Sequence, residues 1–390
     1  CFQVKSFVKR LNCSDTSFAE TLVAWQKRHG RHSLPWQNTR DAYRIWLSEI
    51  MLQQTQVATV IPYYLRFLES FPDVFTLAVC PLDEVMKYWS GLGYYSRARN
   101  LHKCAQIVVR EYGGEFPADP AVLEKLPGIG KSTAAAIAVF SSGVRAAILD
   151  GNVVRVFSRV FGITDSPEGK EGKKRLWKLA YELLPETDLE AYTQGLMDLG
   201  ATVCVRSKPD CVRCPFTGNC VALSENRIAE LPVRKVKKAV PEKKVIMLVL
   251  QSNGQVLFEK RPESGIWGGL YSLPEKEWPA DNESASSAAV LDELKFMASS
   301  FGDVVSMEYL DPFVHIFSHF RLLITPCVIE LSRQNQRVAK HACLWYDIEK
   351  LDDAPVPAPV RKLLSTSLRQ QRLKLSESPA VSPVSTPDAG

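Results

Sequence analysis

Four of the chain's ten cysteines lie within seventeen residues, CVRSKPDCVRCPFTGNC, from Cys204 to Cys220. No other stretch restricts the fold so strongly, because this loop can curl four thiols around one ligand. The spacing C-x6-C-x2-C-x5-C offers Cys204, Cys211, Cys214 and Cys220 to a metal. Zinc sites usually pair two short C-x2-C hooks, and only one is present; the longer x6 and x5 loops suit an iron–sulfur cubane. On spacing alone both stay open. The other six cysteines are scattered, so a reducing, intracellular setting is expected rather than a disulfide framework. Arg206, Lys208 and Arg213 against Asp210 leave the loop at +2 before any metal is counted. Such a loop can rest on a phosphate backbone.

The rest of the chain divides by pattern. Its 390 residues exceed what one core usually serves, so two or three domains are expected. Residues 1–15 form an arm without assignment. Residues 16–225 read as all-α: SFAETLVAWQKR, DAYRIWLSEIMLQQTQVATVIPYYLRFLESF, PLDEVMKYWSGLG and SRARNLHKCAQIVVREYGG carry apolar residues at helical spacing. A basic linker is expected over 226–243, centred on VRKVKKAVPEKK. Residues 244–366 read as α+β, with KVIMLVLQ, QVLFEKR, FVHIFSHFRLLITPCVIE and CLWYDI as strands and SASSAAVLDELKFMASSFG as a helix. The Ser/Pro-rich tail, 367–390, is expected to be disordered. No apolar run is long enough for a membrane span, and a net charge of +5 permits a polyanionic partner.

Three stretches carry candidate chemistry. LEKLPGIGKSTAAAIAVF, residues 123–140, has the form helix, tight turn, helix; Gly128 and Gly130 permit the turn, and the second helix opens with free N–H groups, an anion site. In AAILDGNVVRVFSRV, Asp150 ends an apolar run and precedes a helix, the place of an N-cap. In SEIMLQQTQV, Glu49 is the only charged residue between Arg44 and Arg66, on a stripe shared with Ala42, Ile45, Trp46 and Ile50. A carboxyl on an apolar face has a raised pKa and can donate a proton near neutrality.

SEIMLQQTQV, LPWQ, GLGYYSRARNL, LPGIG, LDGNV, MDLGATVC and the cysteine spacing together resemble the adenine DNA glycosylases (MutY type) of the endonuclease III, helix-hairpin-helix superfamily. The likeness spans about residues 16–225 and continues more weakly to about 365. It implies a multidomain fold: a helix-hairpin-helix glycosylase core with a six-helix barrel over about 36–150 and a cluster subdomain over 16–35 and 151–225, then a Nudix-like α+β domain. It implies a 4Fe–4S cluster on the four cysteines and a monovalent cation at the hairpin turn. Glu49 becomes the general acid and Asp150 the partner of the sugar cation, with Asn152 beside it. Trp36, Gln194 and Ser132 surround the extruded adenine. Gln54, Thr55, Leu92 and Tyr94 meet the lesion and the gap, and the turn amides of Gly128 and Gly130 meet a phosphate.

The resemblance also sets the reaction class. Bifunctional relatives of endonuclease III type, which act on oxidised pyrimidines, use a lysine where this chain has Ser132, and a serine forms no imine. Lys131 lies about 100° around the helix. A monofunctional enzyme is therefore expected, a hydrolase removing adenine opposite 8-oxoguanine or guanine in double-stranded DNA, monomeric and cytoplasmic (nucleoid-associated, if bacterial). Phe317-Ser318-His319 in FVHIFSHFRLL resembles the loop that reads 8-oxoguanine, with Ser318 and His319 as contacts. AVLDELKFMASSFG lacks the glutamate array of active Nudix hydrolases, so that domain is expected to recognise rather than hydrolyse.

Overall fold

The computed structural model describes residues 17–233, 240–263, 265–278, 288–317, 319–335 and 343–366. The chain divides into two compact units, Cys1–Tyr88 with Ser96–Lys237, and Trp89–Tyr95 with Lys238–Gly390. No helix among the described residues is long and apolar enough to cross a membrane.

The first unit is helical. Its opening helix, Phe18–His29, starts in a capping box, with Ser17 and Glu20 exchanging backbone bonds, and ends at Gly30. Phe18 and Leu22 then enter a core with Val139, Val153, Phe157, Leu176 and Leu196, so the chain's first described helix packs with its later ones. The helix Ala42–Leu52 begins at Asp41, whose carboxylate accepts from Tyr43 and Arg44 N–H groups. Ile45, Trp46, Leu47, Ile50 and Met51 are buried along it, which fixes its rotation. The hairpin forms as read: Pro120–Leu123 is capped by Asp119, Gly128 takes φ +80°, and Lys131–Ser142 begins at Gly130.

The second unit holds a mixed sheet. β1 (Glu242–Ser252), β2 (Gln255–Lys260), β3 (Tyr271–Ser272), β4 (Glu275–Glu277), β5 (Gly302–Tyr309), β6 (Phe313–Ile316), β7 (Arg321–Gln334) and β8 (Cys343–Asp347) join as β3-β2-β1-β7-β5, with β4 on β1, β6 on β7 and β8 on β2. β1 and β7 run parallel, Val245 beside Ile324 and Leu248 beside Cys327. Buried on both faces, they read as near-continuous apolar runs. The helix Ala288–Ser299 covers the sheet through Val290, Leu294 and Ala298.

Two readings need adjustment. FVHIFSHFRLL is not one strand: β6 and β7 form an antiparallel hairpin, and Phe317 N–H donates to the Phe320 carbonyl at 2.9 Å across its turn. The two adjacent polar residues, Ser318 and His319, interrupt the period-2 pattern at the reversal, and that was the available signal. The stretch expected as linker is structured at both ends. Leu231 is buried with Cys220 and Ala222, and Glu242, Lys243 and Lys244 pair with Arg321, Leu322 and Leu323.

Candidate active site

A cleft of about 1140 Å³ opens in the first unit, and Trp36, Glu49, Gln54, Thr55, Ser132, Asp150, Asn152 and Gln194 all line it. Glu49 reaches it together with Ile45, Ser48 and Leu52, which share its side of the helix and line the same cleft. Arg97 fixes the end of the same helix. One guanidinium nitrogen donates to the Ile50, Met51 and Gln53 carbonyls at 3.0, 2.7 and 2.6 Å, and the other to Thr55 Oγ1 at 3.0 Å. These bonds hold the turn in which Gln54 takes φ +59°.

The two carboxyls differ in what surrounds them. Burial pushes the Glu49 pKa up to about 8, and the Asp150 charge adds to the effect. No hydrogen bond to the Glu49 carboxyl is made among the described residues. Asp150 caps the helix Gly151–Val160: Oδ1 accepts from the Asn152 and Val153 N–H groups at 3.1 and 2.8 Å, and Oδ2 from Asn152 Nδ2 at 3.2 Å. Burial pushes its pKa up as well, but these bonds and the Arg155 charge oppose the push. The helix N-terminus favours the anion further. Of the pair, only Asp150 has bonds and a neighbouring cation that favour its charged form, a contrast suited to protonating a leaving group while stabilising a cation.

Other predicted residues divide. Ser132 Oγ accepts from the Leu149 N–H at 3.0 Å, so it pins the backbone entering Asp150. Trp36 is buried and packs edge-on against Tyr64, centroids 5.4 Å apart, as well as lining the cleft. Gly128 and Gly130 stay at the hairpin turn, where the Gly128 carbonyl accepts from Gln53 Nε2 at 3.3 Å. Leu92, buried, and Tyr94, exposed at φ +48°, belong to the segment Trp89–Tyr95 of the second unit. His319 is exposed in the β6–β7 turn, and Ser318 lies outside the described residues.

Residues 47–182 match the family model of the HhH-GPD superfamily base excision DNA repair proteins, and residues 245–366 that of the NUDIX domain. The chain is 37% identical to the adenine DNA glycosylase of Buchnera aphidicola subsp. Baizongia pistaciae, over 89% of this chain and 96% of that protein. The chain belongs to the adenine DNA glycosylase family. The human adenine DNA glycosylase is 32% identical, over 91% of this chain and 75% of that one. Among solved structures, a thermostable thymine-DNA glycosylase superposes with a TM-score of 0.50 at 30% identity, covering 57% of this chain and 99% of that one. That likeness covers a share similar in size to this glycosylase's helical unit.

In this glycosylase Cys204, Cys211, Cys214 and Cys220 line one small cavity with Val156, Val160, Leu199 and Val203. No three His, Cys, Asp or Glu side chains among the described residues converge tightly enough to grip a single ion. Arg159, 2% exposed, donates to Cys204 Sγ at 3.5 Å and to the Val205, Arg206 and Leu231 carbonyls. No carboxylate pairs with it among the described residues. A buried cation without an anion is costly, so four thiolates around a metal centre fit this pocket on charge. Arg206, Lys208 and Arg213 remain exposed, with Arg213 paired to Asp210 at 2.6 Å.

Sequence reasoning missed the residues that join these parts. Arg155 donates to the Cys204 carbonyl at 2.7 Å, the Gly200 carbonyl at 2.6 Å and Asn152 Oδ1 at 2.8 Å, tying the cysteine loop to the cap of the Asp150 helix. Gly200 sits in a π-helical turn, Leu199–Val203, and a Cβ there would fall 2.5 Å from that of Asn152. The glycine in MDLGATVC was the available signal. Arg155 and Arg97 gave none, since an arginine three residues after Asn152, or inside SRARNL, reads as solvated.

Proposed function

We propose that this glycosylase removes adenine opposite 8-oxoguanine or guanine by hydrolysing the N-glycosidic bond, without efficient strand cleavage. The single observation carrying this is the pair on the cleft wall: Glu49 with a raised pKa, and Asp150 held by three hydrogen bonds at a helix N-terminus. The flipped base enters the cleft. Glu49 protonates adenine, at N7 by family likeness, so that it leaves neutral. Asp150 faces the oxocarbenium-like sugar, and Asn152 orients it. Trp36 and Gln194 bound the base. Gln54, Thr55, Leu92 and Tyr94 occupy the opened stack, and Ser318 and His319 read the opposite base.

Lys131 supports the monofunctional reading. Its Nζ lies 4.3 Å from the Trp177 ring and 5.2 Å from that of Tyr181, and Lys131 does not line the cleft. A cation held by two aromatic faces is a poor imine former. The four cysteines lining one cavity, with buried Arg159 donating to Cys204 Sγ, support a 4Fe–4S cluster with a structural role, its cationic loop set against the DNA backbone. Purified protein should carry four irons per chain by metal analysis; stoichiometric zinc in active protein overturns this.

The function is tested with duplexes holding adenine opposite 8-oxoguanine, guanine or thymine, and with thymine glycol, with and without alkali. Adenine should be lost opposite 8-oxoguanine and guanine, and strands should break only after alkali. Release of thymine glycol, or efficient borohydride trapping, would show the endonuclease III-type alternative. In the same assay, Ser318→Ala with His319→Ala should weaken the preference for 8-oxoguanine over guanine by roughly 1–3 kcal/mol, the scale of one base contact. An unchanged preference would place lesion reading in the helical unit.

A further inference from the structure

Asp198 is fully buried at the end of the helix Leu189–Asp198, one turn beyond Gln194. It does not line the cleft, whereas Gln194 does. Its carboxylate is surrounded by donors. Oδ1 accepts from Arg31 Nε at 2.7 Å and Gln194 Nε2 at 2.8 Å and lies 2.7 Å from Arg31 Nη2; Oδ2 accepts from the Arg31 N–H at 2.8 Å. Gly30 makes room for this arrangement, since a Cβ there would fall 3.0 Å from Asp198 Oδ2 and 2.5 Å from the Gln26 carbonyl. A carboxylate offers no proton, so it takes the amide nitrogen of Gln194 and repels the amide oxygen.

We propose that Asp198 is a positioning residue for base selectivity: by holding Gln194 Nε2, it turns Oε1 toward the flipped base as a fixed acceptor. Adenine presents an amine donor at C6 and guanine presents a carbonyl there. A glutamine free to flip accommodates either; one anchored by Asp198 accepts from the amine and opposes the carbonyl. The unmatched polar pair then rejects the wrong base. This rests on the adenine-excision reading above.

The test is single-turnover excision of adenine and of unsubstituted purine, which lacks the C6 amine, each opposite 8-oxoguanine. Taking the ratio within one preparation cancels any loss of folded enzyme. Asp198→Ala should lower the adenine-to-purine ratio by about tenfold, the factor of one ordinary hydrogen bond. Asp198→Asn, which can keep an oxygen toward the donors at Oδ1, should largely retain the ratio. Gln194→Ala should lower it as well, and adding Asp198→Ala to Gln194→Ala should lower it no further. If Asp198→Ala does not accumulate, Asp198→Ser, whose hydroxyl is too short to reach Nε2, is read by the same ratio. Equal loss on both bases, an unchanged ratio, or additive effects in the double variant overturn the proposal. Wild-type protein that excises no adenine would instead overturn the function on which it rests.

Discussion

Glu49→Gln should bind the mismatched duplex normally and lose base excision by about 10²–10⁴-fold, the usual contribution of a positioned general acid. Glutamine keeps the shape of the side chain on the cleft wall and removes the proton. The pH dependence follows from the raised pKa. Glu49 is the proton donor, so the active form is the protonated one, and wild-type excision should fall as pH rises through about 8. The same shift sets a stability difference. The folded pKa lies above the unfolded value near 4.5, so the unfolded chain releases this proton first as pH rises. Wild-type stability is therefore lost progressively between those two values. Glu49→Gln is free of that loss and should melt higher, by on the order of 3 kcal/mol at pH 7 and little at pH 5. Single-turnover kinetics with thermal melts across pH 5–8 check both. Turnover near wild type, or melting curves that stay parallel across pH, would remove Glu49 from this role.

Asp150→Asn should reduce excision by about 10²–10³-fold, the scale of losing one preorganised electrostatic partner of a developing charge. The structure makes this a clean substitution. Asparagine caps helices as well as aspartate does, and its Oδ1 can still accept from the Asn152 and Val153 N–H groups. Duplex binding should therefore change little while the chemistry fails, and melting temperature should not fall, because burial raises the Asp150 pKa and the amide carries no charge to bury. A second consequence separates this from a packing defect. Asp150 is one of the two causes raising the Glu49 pKa. Removing its charge should move the alkaline limb of the residual activity to lower pH, with burial keeping it above the ordinary carboxylate range. A variant with wild-type rates, or a residual profile whose alkaline limb stays in place, would show that Asp150 acts only as a cap.

Much of this molecule was legible in one dimension. Helical periodicity, the turn glycines and capping residues are local signals, and Asp150 caps the helix its position announces. The apolar runs of β1 and β7 were legible as strands, though not as parallel neighbours buried on both faces, because that pairing joins residues about eighty apart. The break in FVHIFSHFRLL was marked only by the adjacent polar pair Ser318-His319, a signal too short to tell a turn from a strand edge.

The sequence by itself determined which groups the site contains: a lone glutamate on an apolar stripe, an aspartate at a helix start and four spaced cysteines. Each depends on neighbours a few residues away, within reach of backbone geometry. Only the tertiary structure decided how those groups are tuned and joined. The raised pKa of Glu49 needs walls drawn from distant segments, and Asp150 enters through Ser132, seventeen residues before Leu149. Arg155 spans from Asn152 to Cys204, and Arg31 reaches Asp198 from 167 residues away. Long polar side chains make these connections, and a long polar side chain in a sequence looks the same whether it ends in water or on a buried carbonyl.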